Sequence, residues 1–386
     1  MAQFWPLILD RYKLEIAFAH RTFVWGSEAR GVAHVHVVII GLTKAGTSTQ
    51  KHIFDYKNGG AEPQQFSATN ISPYLLDAPN VIVRSQTRPI APSIPRLVNG
   101  SVAADGGNLL MTEDERAEVI QLDPLSSAYI RPFVGGEDLI QEKKRYCFWL
   151  VDCPPDQLRQ MPAVIERLRL VRRMREASSK AATRNKARIP SLFTENRQPK
   201  SGEYLAIPRT SSERRDILPI GFLPNTTIAA NDLQIVPNSK LFHFGILSSL
   251  MHVAWIKITA GRLKSDYRYS ALYTYNTFPW PEITTMQEQK ISELAQDILD
   301  TRIIFSSSTL ADLYDPDLMP PKLRKAHQAL DLAVDRLYRK APFASERERA
   351  EHLFGLYEKM VAPIEAAAKA TVRKKRAATA ESKARR

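Results

Sequence analysis

Ala33-His-Val-His-Val-Val-Ile-Ile-Gly41 decides how the chain opens. A β-branched run that ends on glycine is a strand. Apart from His36, Val35–Ile40 is wholly apolar, and strands of that kind ordinarily lie inside a sheet covered on both faces. Leu14-Glu-Ile-Ala-Phe-Ala-His20 is a second strand, with Gly26-Ser-Glu-Ala-Arg-Gly31 as the connection between them. Two or three strands cannot build a doubly covered sheet, so this opening reads as the end of a domain that begins earlier.

Farther along, residues 55–110 are rich in turn formers, including Asn58-Gly-Gly60 and Asp105-Gly-Gly107. They also hold an Ile71–Leu76 run and a short strand at Val81–Arg84. Tyr129–Glu137 reads as strand then turn, and Arg145–Asp152 as a buried strand stopped by Pro154-Pro155. A helix begins near Pro162. Met161, Ile165, Leu168, Val171 and Met174 form its apolar stripe, and arginines cover the rest. Strands follow at Glu203–Ile207, Ile217–Phe222 and Leu233–Val236. Phe244–Ile258 is apolar without internal Gly or Pro, which predicts one buried helix closed by Gly261. After Pro281 the periodicity is helical over 286–305, 320–340 and 344–362. No repeat of 20–50 residues is present.

The chain of 386 residues has a net charge of +13. That charge is concentrated. Residues 369–386 hold eight Lys/Arg against Glu381, and residues 159–188 hold ten against Glu166 and Glu176. The remainder is close to neutral. Two such blocks favour an anionic polymer as partner, and nucleic acid is the commonest one. Cys147 and Cys153 are too few for a disulfide framework, which points to a reducing cytoplasm. No apolar run reaches the ~18 residues of a membrane span. No secretory leader is visible, since Asp10, Arg11, Lys13 and Glu15 interrupt the first apolar residues.

Gly261-Arg-Leu-Lys-Ser-Asp-Tyr-Arg-Tyr-Ser270 carries the most specific chemistry. If it is extended, Lys264, Asp266 and Arg268 stand on one face. Lys or Arg suits guanine O6/N7, and Asp suits the cytosine amino group. A salt-bridged, solvent-facing strand is the plain alternative. Other constellations carry less. His34 and His36 share a strand face but have no third ligand at metal spacing, so no metal site is expected. Glu137-Asp138 and Asp315/Asp317 read as solvated turns. No phosphate-binding glycine loop and no catalytic centre is visible.

The chain resembles the C-terminal part of the MmeI-like restriction–modification enzymes, single polypeptides whose methyltransferase also guides cleavage. The resemblance rests on Phe18-Ala-His-Arg-Thr-Phe-Val-Trp25, Ala33–Gly41, Gly135-Gly-Glu-Asp-Leu-Ile140 and Arg145-Tyr-Cys-Phe-Trp-Leu150. It continues through Ser211-Ser-Glu-Arg214, Pro219-Ile-Gly-Phe222, Gly261–Ser270, Phe278-Pro-Trp-Pro281 and Ala311-Asp-Leu-Tyr-Asp-Pro316, in order up to about Lys359.

The resemblance implies a mixed α/β and α+β fold in four parts. Residues 1–55 would be terminal strands of a Rossmann-like methyltransferase sheet. Residues 56–283 would be an α+β target recognition domain and 284–365 a small helical domain. Residues 366–386 would be a basic tail that frays when unbound. The family transfers methyl from S-adenosylmethionine to the adenine amine. Its cofactor and catalytic motifs do not occur in this chain, so no catalytic residue and no cofactor bound by this chain alone is expected. The implied partner is double-stranded DNA, together with the methyltransferase and endonuclease portion. The setting is a prokaryotic cytoplasm, with no membrane.

Carried over by position, Lys264 and Asp266 would read one base pair and Arg268 its neighbour. Arg169, Arg172, Arg173, Arg175 and Arg262 would meet phosphates. Phe23 and Trp25 would stack near a flipped base, unless they are simply core. The chain would then be the recognition part of an adenine-N6 DNA methyltransferase, truncated or split. The alternative is a stand-alone specificity subunit that docks on a separate methyltransferase chain. A gene remnant is a third reading.

Overall fold

The computed structural model describes residues 4–25, 35–47, 50–56 and 62–364. The Gly26–Gly31 connection, His34, the Asn58–Gly60 turn and the basic tail lie outside them.

The first sheet contains β1 (Leu14–Trp25), β2 (Val35–Lys44), β3 (Lys51–Asp55) and β4 (Gln64–Ala68). Its order is β2-β1-β3-β4, with β1 antiparallel to β2 and parallel to β3. Ile16, Ala19 and Ile53 bury against Trp5, Ile71 and Leu75. Gly41 is required where the strands meet, because a Cβ there would lie 2.1 Å from the Phe18 ring. Composition predicts an interior position for the apolar run of β2, and the structure places it elsewhere. It is an edge strand, and Val38 and Ile39 are 46% and 41% exposed. Among the described residues only β1 pairs with it, while its Ile40 packs on the core beneath the sheet.

The middle of the chain forms two lobes. In chain order it runs β5 (Val98–Asn99), β6 (Leu110–Met111), α1 (Glu113–Leu122), β7 (Ile130–Val134), α2 (Gly136–Gln141), β8 (Tyr146–Phe148), α3 (Pro155–Arg159), α4 (Pro162–Glu176) and α5 (Ala181–Arg184). Then come β9 (Glu203–Pro208), β10 (Thr210–Ser211), β11 (Gly221–Pro224), β12 (Ile228–Ala229) and β13 (Leu233–Pro237). One lobe packs α4 and α1 on a β12-β7-β8-β6 sheet through Val119, Phe133, Phe148, Val164, Leu168 and Val171. Thr112 and Glu115 close a capping box that starts α1. The other lobe is a β11-β9-β13-β5 sheet.

The stripe of α4 differs from expectation by one residue of rotation. Met161, Val164, Leu168, Val171 and Arg175 are buried, in place of Ile165 and Met174. Val81–Arg84 is not a strand either. Its Val83 and Arg84 amides donate to the Tyr74 and Tyr357 hydroxyls rather than to a ladder. Asp138 is not in a solvated turn. It is buried, caps α2 through the Gly135 amide at 2.7 Å, and pairs with Arg145. Its neighbour Glu137 is solvent-facing and meets Lys143.

Phe244–Ile258 is two helices, α6 (Leu241–Leu247) and α7 (Leu250–Thr259), bent by 58°. Ser249 accounts for the break. Its hydroxyl donates to the Ile246 carbonyl and accepts from the His252 amide, capping the second helix. Gly261 does not cap α7. It opens a hairpin of β14 (Gly261–Leu263) and β15 (Asp266–Arg268). The bent pair is apolar because it is core, sheathed by α8 (Thr285–Ile304), α9 (Leu310–Leu313), α10 (Pro321–Tyr338) and α11 (346–364). Among the described residues no single helix is long and apolar enough to cross a membrane. One continuous core joins Leu205, Ile207, Trp255, Phe278, Leu330 and Phe354. The helical C-terminal part therefore shares its interior with the lobe of the β11-β9-β13-β5 sheet.

Candidate nucleic-acid interface

In the β14–β15 hairpin, Gly261 pairs with Arg268, Arg262 with Tyr267, and Leu263 with Asp266. Lys264 and Ser265 are thus a two-residue turn. Lys264 adopts a left-handed φ of 56°, uncommon without glycine or asparagine. The expected single extended face does not form. Lys264 stands at the tip, while Asp266 and Arg268 share one face of β15 by strand alternation.

The opposite face holds the hairpin down. Tyr267 and Tyr269 are buried, and the Tyr269 hydroxyl meets His252 Nε2 at 2.8 Å. Burial pushes His252 down to about 3, so it stays neutral at physiological pH. Thr210 and Ser211 of β10 extend the ladder, and the Tyr269 amide donates to the Arg209 carbonyl. Arg262 braces the tip. Its guanidinium lies 3.9 Å over the Tyr267 ring, donates to the Ser265 carbonyl at 2.6 Å and faces Glu213 at 3.4 Å. Asp266 is fixed by the Glu213 amide at 3.4 Å. Among the described residues, Lys264 and Arg268 have no side-chain partner and are exposed.

A groove of about 630 Å³ runs beside the hairpin, lined by Arg268, Arg209, Asn99 and Gln234 among others. Gln234 donates to Asn99 at 3.3 Å, which leaves its own carbonyl oxygen buried without a partner. Arg209 and this amide pair escaped the sequence reading. The legible signal for Gln234 is a lone polar residue inside the apolar run Leu233–Val236.

The basic helix divides into two roles. Arg169, Arg172 and Arg173 are exposed on α4, with Arg169 held at 2.8 Å by Glu166. Arg175 is fully buried, contrary to its expected place on a phosphate. Its guanidinium donates to the carbonyls of Ala103, Ala104, Lys186, Ile189 and Leu192, so no donor points outward. It ties the 103–104 and 186–192 segments to the helix.

Phe23 and Trp25 are not core. Trp25 is 57% exposed, and Phe23 stacks on Tyr56 with centroids 4.7 Å apart. His20 joins them, stacked on Phe54 at 4.3 Å and bonded to the Tyr56 hydroxyl at 2.7 Å. Tyr56 lines a cleft of about 650 Å³ whose far wall carries Arg214, Arg262 and Tyr267. The aromatic end of the first sheet and the hairpin therefore border one cleft.

A charged hairpin on a buried aromatic platform and a helix with exposed arginines are features that nucleic-acid recognition modules present. The chain belongs to the MmeI family. Residues 77–282 match its target recognition domain, 283–365 its C-terminal domain and 1–55 its DNA-methyltransferase domain. It is 37% identical over 352 residues to DNA methyltransferase A of Bacillus subtilis (strain 168), covering 91% of this chain. A solved structure of the type IIL restriction–modification enzyme MmeI in complex with DNA matches 94% of the chain, at 41% identity and a TM-score of 0.83. The chain spans 39% of the length of the curated relative and 48% of the MmeI chain.

Proposed function

We propose that the chain recognises a DNA sequence as the C-terminal part of an S-adenosylmethionine-dependent adenine-N6 methyltransferase of a restriction–modification system, in a prokaryotic cytoplasm. The observation that carries this reading is the hairpin. Lys264 and Arg268 project without side-chain partners among the described residues, while the hairpin's other face is locked in the core. Lys264 donates to guanine and Asp266 accepts from the paired cytosine, with Arg268 at the adjacent position. Arg209, beside Arg268 in the groove, is a further contact. Arg169, Arg172, Arg173 and the outer edge of Arg262 meet phosphates and set affinity without choosing sequence. Phe23 and Trp25 border the path of an extruded base. Methyl transfer and cofactor binding belong to the rest of the methyltransferase domain.

The decisive experiment reverses the pair, with Lys264→Asp combined with Asp266→Lys. The preferred base pair at one position is expected to change from G·C to C·G, with discrimination on the order of 1–3 kcal/mol. An unchanged preference in selection from a randomised duplex pool removes the assignment.

Phosphate contacts predict a steep salt dependence. Replacing both Arg172 and Arg173 by alanine should lower the slope of log K against log salt by about two, uniformly across sequences. An unaltered slope between 50 and 200 mM salt removes α4 from the interface.

A second reading rests on β2. Its edge, unpaired among the described residues, and exposed Val38, Ile39 and Leu42 suit a docking strand from a separate methyltransferase chain. Co-purification of this chain with such a partner, abolished by Ile39→Asp, favours a stand-alone specificity subunit.

A further inference from the structure

The C-terminal helical part grips α7 at both ends, and α7 leads directly into the reading hairpin. At its start, the Leu250 amide donates to Asp331 of α10 at 2.7 Å. Near its end, Lys257 pairs with Glu346 of α11 at 2.5 Å. Arg349 of α11 pairs with Asp335 of α10 at 2.6 Å, locking the two gripping helices to each other. Between them lies a cavity of about 330 Å³ that takes in Tyr314 of the Ala311–Pro316 motif, which the recognition reading leaves without a role. Gly261 begins β14 just past Thr259, the last residue of α7. A rotation or slide of this helix therefore moves Lys264, Asp266 and Arg268 together.

We propose that Asp331 and Glu346 are positioning residues for DNA readout, setting the pose of the β14–β15 hairpin through the two ends of α7. The inference rests on the hairpin being the reading element. An anionic carboxylate at a helix N-terminus holds the amide more firmly than a neutral acid, through charge and the helix dipole. Burial pushes Asp331 up to about 7, so its charge changes in the physiological range. The charged and titratable groups around it are Asp335, His327 and Arg324 of α10, Glu346 and Arg349 of α11, and Asp216 and Tyr314 of the cavity wall. His327 is pushed down to about 3 by burial and stays neutral here.

The test measures the ratio of preferred-site to random-duplex affinity for the whole chain at pH 6 and pH 8. In the wild type the ratio should rise with pH. Asp331→Asn keeps an acceptor for Leu250 but cannot ionise. Its ratio should be flat with pH and roughly fivefold or more below wild type at pH 8. Glu346→Gln releases the other end of α7 and should lower the ratio without flattening the pH profile. Random-duplex affinity should hold in both variants. Equal ratios in all three proteins at both pH values overturn the inference. A wild type with no preferred site instead overturns the reading of the hairpin.

Discussion

Arg175→Ala should unfold the α4 lobe or cost it about 3–5 kcal/mol, the largest effect expected of any arginine in the basic helix. Breaking a buried charge network usually costs that much, because the partners left behind cannot reach water. Here five carbonyls from two chain segments lose one shared donor. Lysine is no substitute, since one ammonium cannot span a planar fork of five N–H groups. Arg172→Ala, exposed three residues before Arg175, should change stability by less than about 0.5 kcal/mol. Urea midpoints of the two variants check the contrast. Equal midpoints would show that Arg175 does not hold the lobe together.

Asp331 should make stability depend on pH with a sign opposite to that of an ordinary paired carboxylate. Its folded value lies near 7 against 3.8 for the free group, chiefly because burial penalises the charge. The folded state therefore binds the proton more tightly than the unfolded chain. The stabilising contribution is full below about pH 3.8 and disappears as pH rises through about 7. A shift of that size corresponds to at most about 4 kcal/mol. The group is almost fully buried, so solvent screening removes little of it. Wild type should lose stability relative to Asp331→Asn between pH 4 and pH 7, with a constant gap above pH 8. Denaturation curves that run parallel across this range would exclude the effect.

What could be read beforehand follows from how local each signal is. Helix α8 shows periodicity and a Thr284/Gln287 capping box, α10 shows periodicity and an opening proline, and both ranges agree with expectation to within a few positions. Strand β1 was recognisable from its first half, Leu14–His20. The hairpin was not, because its turn is Lys264-Ser265 without the glycine or asparagine that announces a left-handed residue. Ser249 splits a helix by one hydroxyl, a feature hidden among apolar neighbours. Arg175 looked like another surface arginine. Only the 3-4-3-4 spacing of Met161, Val164, Leu168 and Val171 points to its burial, and charge overrode that spacing. The role of Asp331 depends on Leu250, 81 residues away in sequence, and no local pattern contains it.

The alternation of β15 separates two duties residue by residue. Tyr267 and Tyr269 anchor the strand, while Asp266 and Arg268 share the other face, where the fold is met by one bond that Asp266 accepts from the Glu213 amide. Natural variation can therefore exchange the outward residues without threatening the anchor. On the proposed reading, a lineage with this arrangement can change its DNA target by exchanging outward residues while the anchored fold is kept.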